Sequence, residues 1–189
     1  MSTMLRLSQQ STTITLTPRR KSIFLPRVPT RPFATTMTAF KPNTEPPKTV
    51  SVFRNIYQVA SDSDKFRRVL WTGRNSQLVI MTIPVGGEIG EETHSVDQHL
   101  NFLSGTAQAI IDGGAKKETI NPGDIVIVPA GTLHNFKNTG PTPLIVSTVY
   151  APAEHKVDTV HDTMEQGEKL EEEGKDEPPE WAQDLHKKP

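Results

Sequence analysis

The 189-residue chain contains no cysteine. Disulfides, thiolate zinc sites and a cysteine nucleophile are therefore excluded, and a bound metal must rest on His, Glu, Asp, Gln or backbone oxygen. Long apolar runs are missing as well. Stretches such as Leu78–Met81 and Leu144–Val146 fall far short of the roughly 20 residues a membrane-spanning helix needs. The formal net charge is −1, so no overall field points to nucleic acid or a membrane surface. There is no Walker A loop, dinucleotide fingerprint, Gly-x-Ser-x-Gly elbow or His-Glu-x-x-His helix. No basic patch interleaved with aromatics occurs in the central part, which argues against nucleic-acid binding.

The absence of one sign of charge divides the chain. Residues 1–44 carry Arg6, Arg19, Arg20, Lys21, Arg27, Arg31 and Lys41 and no acidic residue, in a Ser/Thr-rich context. That is the composition of an organellar transit peptide. Arg31-Pro32-Phe33-Ala34 is similar to a mitochondrial processing site with cleavage after Phe33, so a mitochondrial location is expected. Initiation at Met37 would delete most of this segment and leave the protein cytosolic. Residues 162–184 are the opposite, with ten acidic side chains against two lysines. Dense charge and low hydrophobicity favour disorder there, with Met164–Glu173 able to form a short helix and Trp181 as a single apolar anchor. The expected organisation is a basic N-terminal extension (1–44), a folded domain (50–155) and an acidic tail, partly helical or disordered (156–189).

The folded domain reads as short strands between Gly, Pro, Asn and Asp turns. Strands are expected at Phe66–Trp71, Gln77–Val85, His99–Leu103, Ala107–Ile111, Lys117–Ile120, Ile125–Val128, His134–Lys137 and Pro143–Tyr150. Asp112-Gly113-Gly114 marks a hairpin, and Asn121-Pro122-Gly123-Asp124 and Pro129-Ala130-Gly131 mark further turns. No helical period appears between residues 62 and 150. The pattern is that of an all-β sandwich or barrel.

Chemistry concentrates in two segments, Gly86–Gly105 and Gly123–Asn138. Residues two apart on a strand share a face, so Glu92 and His94 can point together into a barrel. Gln98 shares a face with Leu100 and Phe102, and His134 follows the Pro129-Ala130-Gly131 turn. Two imidazoles and a carboxylate suit a divalent metal, and Gln98 can add a carbonyl oxygen or orient water or substrate. The expected metal ligands are Glu92, His94, Gln98 and His134. Asp97 and His99 are expected to face away, and His155 and His161 to lie on the surface. Tyr150, Trp71 and Phe136 read as core or rim.

The second segment matches the second cupin motif at every position: Gly123, Pro129, Gly131, His134 and Asn138. The first motif is framed by Gly86 and Gly105, with His94 as its second histidine. Glu92 stands where the family has a histidine, and Gln98 where it has a glutamate. The chain therefore resembles the cupins, specifically the small single-domain mannose-6-phosphate-isomerase-like group, through FRRVLWTGRNSQLV, EIGEETHSVDQ and VYAPAEHKVDTVH. The resemblance implies a double-stranded β-helix (jelly-roll) barrel with disordered N- and C-terminal extensions, a divalent metal, a small-molecule ligand and a homodimer, with residues 50–61 available as an exchanged strand. Against the family's three His and one Glu, this set keeps one negative charge and swaps a nitrogen for an oxygen. That favours Fe or Mn, with Zn compatible. Metal-dependent isomerase or dioxygenase chemistry and a non-catalytic binding module all fit these residues. A sugar-phosphate isomerase also needs a phosphate clamp, and nothing in the sequence places Arg67, Arg68 or Arg74 at the barrel mouth.

Overall fold

The computed structural model describes residues 45–183. The expected import segment, 1–44, and the last residues of the tail lie outside the described residues. Helix α1 (Ile56–Ser61) precedes β1 (Arg67–Thr72), β2 (Gln77–Ile83), β3 (Asp97–Ser104), β4 (Ala107–Ile111), β5 (Lys116–Ile120), β6 (Ile125–Val128), β7 (His134–Asn138) and β8 (Leu144–Ala151). A two-residue strand β9 (Val160–His161) and helix α2 (Met164–Glu172) follow.

The strands form two antiparallel sheets, one in the order β6-β3-β8-β2-β1-β9 and the other β5-β4-β7. They face each other as a double-stranded β-helix. Alternation along the strands sends one set of side chains inward. Val79, Met81, Leu100, Phe102, Val146 and Tyr150 from the large sheet meet Ala107, Ala109, Ile120 and Phe136 from the small one. Phe102 and Phe136 join the layers with ring centroids 5.3 Å apart. Each expected strand is present, with ends shifted by at most two residues.

The apolar run of β2 leaves no polar face because both of its faces are covered. Ile80 and Ile145 on the outer side pack with Ala60, Ile56 and Val59 of α1. Asn55, in the left-handed region at φ 50°, starts that helix and accepts a hydrogen bond from the Gln58 N–H. Residues 50–61, read as an exchangeable strand, thus contain a helix docked on their own chain. The sequence signal was weak because α1 is only six residues long, too short to show a helical period.

Gly105 occupies a corner that excludes any side chain. Its φ is +81°, and a Cβ there would lie 2.8 Å from both Leu144 Cα and the Pro143 carbonyl oxygen. Asn138 ties the same end together, donating to the carbonyls of Ile83, Pro84 and Thr142.

The acidic segment is part of the structure through residue 183. In β9, Val160 and His161 pair with Arg68 and Arg67 of β1. Thr163 caps α2 by accepting from the Gln166 N–H, and Gln166 accepts from the Asp162 N–H in return. Gly167 lets the helix approach the sheet, since a Cβ there would lie 2.8 Å from His161 Nδ1. Asp176 is buried, and Trp181 sits half-buried in a short 3-10 turn, Glu180–Ala182. The expectation of surface positions for His155 and His161 fails, because each is 1% exposed. Tertiary contacts with β1 and the barrel mouth supply the burial that local composition cannot.

Candidate metal centre

Backbone pairing brings the two sequence segments together. Glu92 and His134 form an isolated antiparallel bridge, with the Glu92 N–H donating to His134 O at 2.9 Å and the His134 N–H to Glu92 O at 3.0 Å. Gly131 N–H donates to His94 O at 2.8 Å, which fastens the Pro129-Ala130-Gly131 turn beside the first segment. Asp97 faces outward as expected and caps that turn by accepting from the Ala130 N–H. His99 is half-buried on the outward side of β3. Gln98 projects inward, fully buried.

Ligand atoms of Glu92, His94 and His134 all lie within 4.8 Å of one another. The two imidazole centroids are 5.6 Å apart. Gln98 Oε1 stands 2.9 Å from His134 Nε2, and its amide nitrogen donates to the Tyr150 hydroxyl at 2.9 Å. All four expected residues are therefore adjacent.

The protonation pattern tests whether a cation fits. His134 Nδ1 lies 2.9 Å from the Thr132 carbonyl, an acceptor, so the proton belongs on Nδ1. Burial holds the His134 pKa below its ordinary value and keeps the ring neutral. Its bare Nε2 then faces Gln98 Oε1, lone pair against lone pair. A cation relieves that opposition, as does turning the amide over so that its N–H points at His134. The donor set of two imidazoles, a carboxylate and an amide oxygen fits the cation.

Both ring nitrogens of His94 face carboxylates. Its Nε2 is 3.1 Å from Glu92 Oε2 and its Nδ1 3.0 Å from Glu154 Oε1. Burial disfavours the imidazolium, but the hydrogen bonds to Glu154 and Glu92 outweigh it and push the pKa up to about 9. A metal at Nε2 would displace that proton and leave Nδ1–H on Glu154, the carboxylate–imidazole–metal relay that fixes the tautomer. Burial works against ionised Glu92 too, yet Arg67 and His94 hold its pKa down at about 2.

Arg67 is the residue that sequence reading passed over. Its side chain is 1% exposed. Nη2 donates to Glu92 Oε1 at 2.5 Å, and Nη1 donates to Glu171 of α2. Burial opposes its charge, but Glu92 and Glu171 keep it protonated. It occupies one oxygen of Glu92 and leaves the other toward His94. Its signal was phase: Arg67 shares the inward side of β1 with Val69. Tyr150 is core as expected, and burial raises its pKa far above the ordinary phenol value.

A second polar cluster flanks the first. His155 Nδ1 donates to Asp176 Oδ2 at 2.8 Å, and His161 Nε2 lies 3.4 Å from the same oxygen. Asp176 also accepts from the Thr159 hydroxyl and the Lys156 N–H. Burial and nearby Arg67 lower the His155 pKa to about 4. This network pins the acidic segment to the barrel mouth.

The architecture is that of a double-stranded β-helix with a histidine-carboxylate cluster at the mouth. The cupin-domain family matches residues 79–150, and this chain belongs to the cupin superfamily. It is 39% identical over 116 residues to an uncharacterised Bacillus subtilis protein, YrkC, covering 58% of this chain and 61% of that protein. It is 33% identical over 106 residues to an uncharacterised protein, L612, of Acanthamoeba polyphaga mimivirus, covering 53% of this chain and 65% of that one. The chain thus spans less than two thirds of the length of these curated relatives. The crystal structure of BH2720 from Bacillus halodurans superposes with a TM-score of 0.61 at 33% identity, covering 66% of this chain and 98% of that one.

Proposed function

We propose that the protein binds a divalent metal through Glu92, His94 and His134, with Gln98 as a fourth oxygen donor, and that a small polar molecule is bound there. The observation that carries this reading is the convergence of three ligand atoms within 4.8 Å, with His134 Nε2 also facing Gln98 Oε1. Fe, Mn and Zn all suit the donor set. Such a metal supplies Lewis-acid polarisation of a carbonyl or hydroxyl oxygen or, if it is iron, redox chemistry with O₂. The chain's own residues do the rest. Arg67 orients Glu92, Glu154 fixes the His94 tautomer, and the Tyr150 hydroxyl holds the Gln98 amide.

Elemental analysis of natively purified protein tests the reading. About one divalent metal per chain is expected, and its loss is expected in both His94→Ala and His134→Ala. Folded protein that neither contains nor takes up a divalent metal refutes it.

Two kinds of activity follow from the same centre, an isomerase and an Fe(II) dioxygenase. A non-catalytic binding module is the alternative. The sugar-phosphate version of the isomerase is disfavoured, because Arg67 is committed to Glu92 and Glu171. Turnover of a metabolite panel with and without O₂ separates the remaining readings: rates unchanged without O₂ exclude the dioxygenase, and no turnover by metal-loaded protein favours the module. A homodimer and mitochondrial import belong to the same proposal. Light scattering showing a monomer removes the first, and cytosolic fractionation of the full chain removes the second.

A further inference from the structure

Four strand edges bound the two sheets: β6 and β9 in the large one, β5 and β7 in the small one. An unpaired edge is a template for another strand, and folds blunt such edges with charge, brevity or cover. Three of the four are blunted. β9 is two residues long. The 88–92 segment covers β7 through the Glu88–Lys137 and Glu92–His134 bridges. β5 carries exposed Lys116, Lys117 and Glu118. β6 is different: it reads Ile-Val-Ile-Val and carries no charge. Ile125 and Ile127 are 56% and 59% exposed on its outward face.

Elsewhere a strand-forming run has no sheet. Residues 48–54 read Lys-Thr-Val-Ser-Val-Phe-Arg, without Gly or Pro, and β-branched and aromatic residues of this kind favour strands. The run belongs to no helix or strand, and residues 50–53 make no backbone hydrogen bond among the described residues. Val50 is 92% exposed and Val52 67%. Through Asn55 this arm leads into α1. Helix α1 packs on the outward face of the large sheet, in a cluster that includes Leu103 of β3, and β3 is the neighbour of β6.

Arm and edge match in length and charge. Asp124 precedes β6, and Asp97 accepts from the Ala130 N–H just beyond it at 2.9 Å, so exposed carboxylates stand at both ends of the edge. Exposed Lys48 and Arg54 stand at both ends of the arm. Lys48 also meets exposed Glu45, and two cations against one carboxylate leave the arm positive. Residues 48–54 and 124–130 each extend over about 20 Å as a strand. In either direction of pairing, a cation meets a carboxylate at each end. A chain thus carries an arm and an edge that fit each other but are not joined. A second copy can engage both at once about a two-fold axis.

We propose that residues 48–54 add as a strand to the β6 edge of a second copy of this chain, reciprocally. This rests on the homodimer reading and names its surface. Main-chain hydrogen bonds supply the pairing, the apolar side chains of the arm cover Ile125 and Ile127, and Lys48 and Arg54 seat against Asp97 and Asp124.

Light scattering and native mass spectrometry of the full-length protein at micromolar concentration test this, with circular dichroism as the check of folding. The natural protein is expected to be a dimer. Every substituted position is exposed, so the barrel should persist in each variant. Ile125→Lys combined with Ile127→Lys charges the edge and should raise the dimer dissociation constant about tenfold or more. Lys48→Glu combined with Arg54→Glu sets like charges end to end and should raise it about three- to tenfold, an effect that shrinks as salt rises. Mixing these two variants should restore a dimer with one copy of each, because one contact is then natural and the other sets Glu against Lys. A monomeric natural protein overturns this inference together with the homodimer reading. A dimer that both variants leave within about twofold of the natural constant, or variants that do not recover on mixing, overturn this surface and leave the homodimer reading standing.

Discussion

Replacing Arg67 with Met separates the ionic role of this side chain from its bulk. The guanidinium is buried and contacts Glu92 Oε1 at 2.5 Å and Glu171. Removing one partner of a buried pair leaves an uncompensated charge and costs about 3–5 kcal/mol. The depressed Glu92 carboxyl points the same way. Its pKa moves from 4.5 to about 2, which is worth roughly 3 kcal/mol at 1.36 kcal/mol per unit. The sign follows from the depressed value: the stabilisation is present above pH 4.5 and lost as pH falls through about 2. Urea unfolding of metal-free protein should therefore show the variant up to about 3 kcal/mol less stable near neutral pH, with the acid loss between those values reduced but not abolished, since His94 still faces Glu92. A metal that neutralises Glu92 should stabilise the variant by more than it stabilises the natural protein. A metal-free variant within about 1 kcal/mol of the natural protein, with the same acid limb, would refute the pairing argument.

Three further outcomes follow. A metal bound at His94 would displace its proton, held by a pKa pushed up to about 9, so affinity should rise about tenfold per pH unit between about pH 6 and 8. Competition titrations check this, and a flat profile contradicts it. Gln98→Glu, nearly isosteric, adds a charge opposite the bare His134 Nε2 and should tighten metal binding by about tenfold while lowering metal-free stability. Unchanged or weaker binding would place Gln98 outside the ligand set. Gly105→Ala puts a Cβ 2.8 Å from backbone atoms at φ +81° and should destabilise by about 2–3 kcal/mol, measured by denaturation. A loss under about 1 kcal/mol would mean that the corner yields.

Much of the barrel was legible because strand signals are local. Alternating apolar residues and Gly/Pro/Asn/Asp turns located eight strands, and the spacing of Gly123, Pro129, Gly131, His134 and Asn138 marked the second motif. Glu92, His94, Gln98 and His134 stand together as their strand phases implied. Three readings failed, and each failed over tertiary burial. Helix α1 is too short to show a period and is held by Ile80 and Ile145. His155 and His161 are polar in sequence but buried by α2 and Asp176. Nothing in the sequence placed Arg67 at the barrel mouth, where Glu92 and Glu171 close around it.

Sequence alone determined the fold class and pointed to residues that converge, because periodicity and motif spacing act over a few residues at a time. The missing cysteines also restricted any metal to nitrogen and oxygen donors. Only the tertiary structure decided what surrounds that centre. Composition described residues 162–184 as a solvated acidic run. Long-range contacts from Arg67 to Glu171 and from His155 to Asp176 instead bring the run up to residue 183 back over the barrel mouth. Burial energies and pKa values depend on those distances, and sequences separated by about a hundred residues carry no local trace of them.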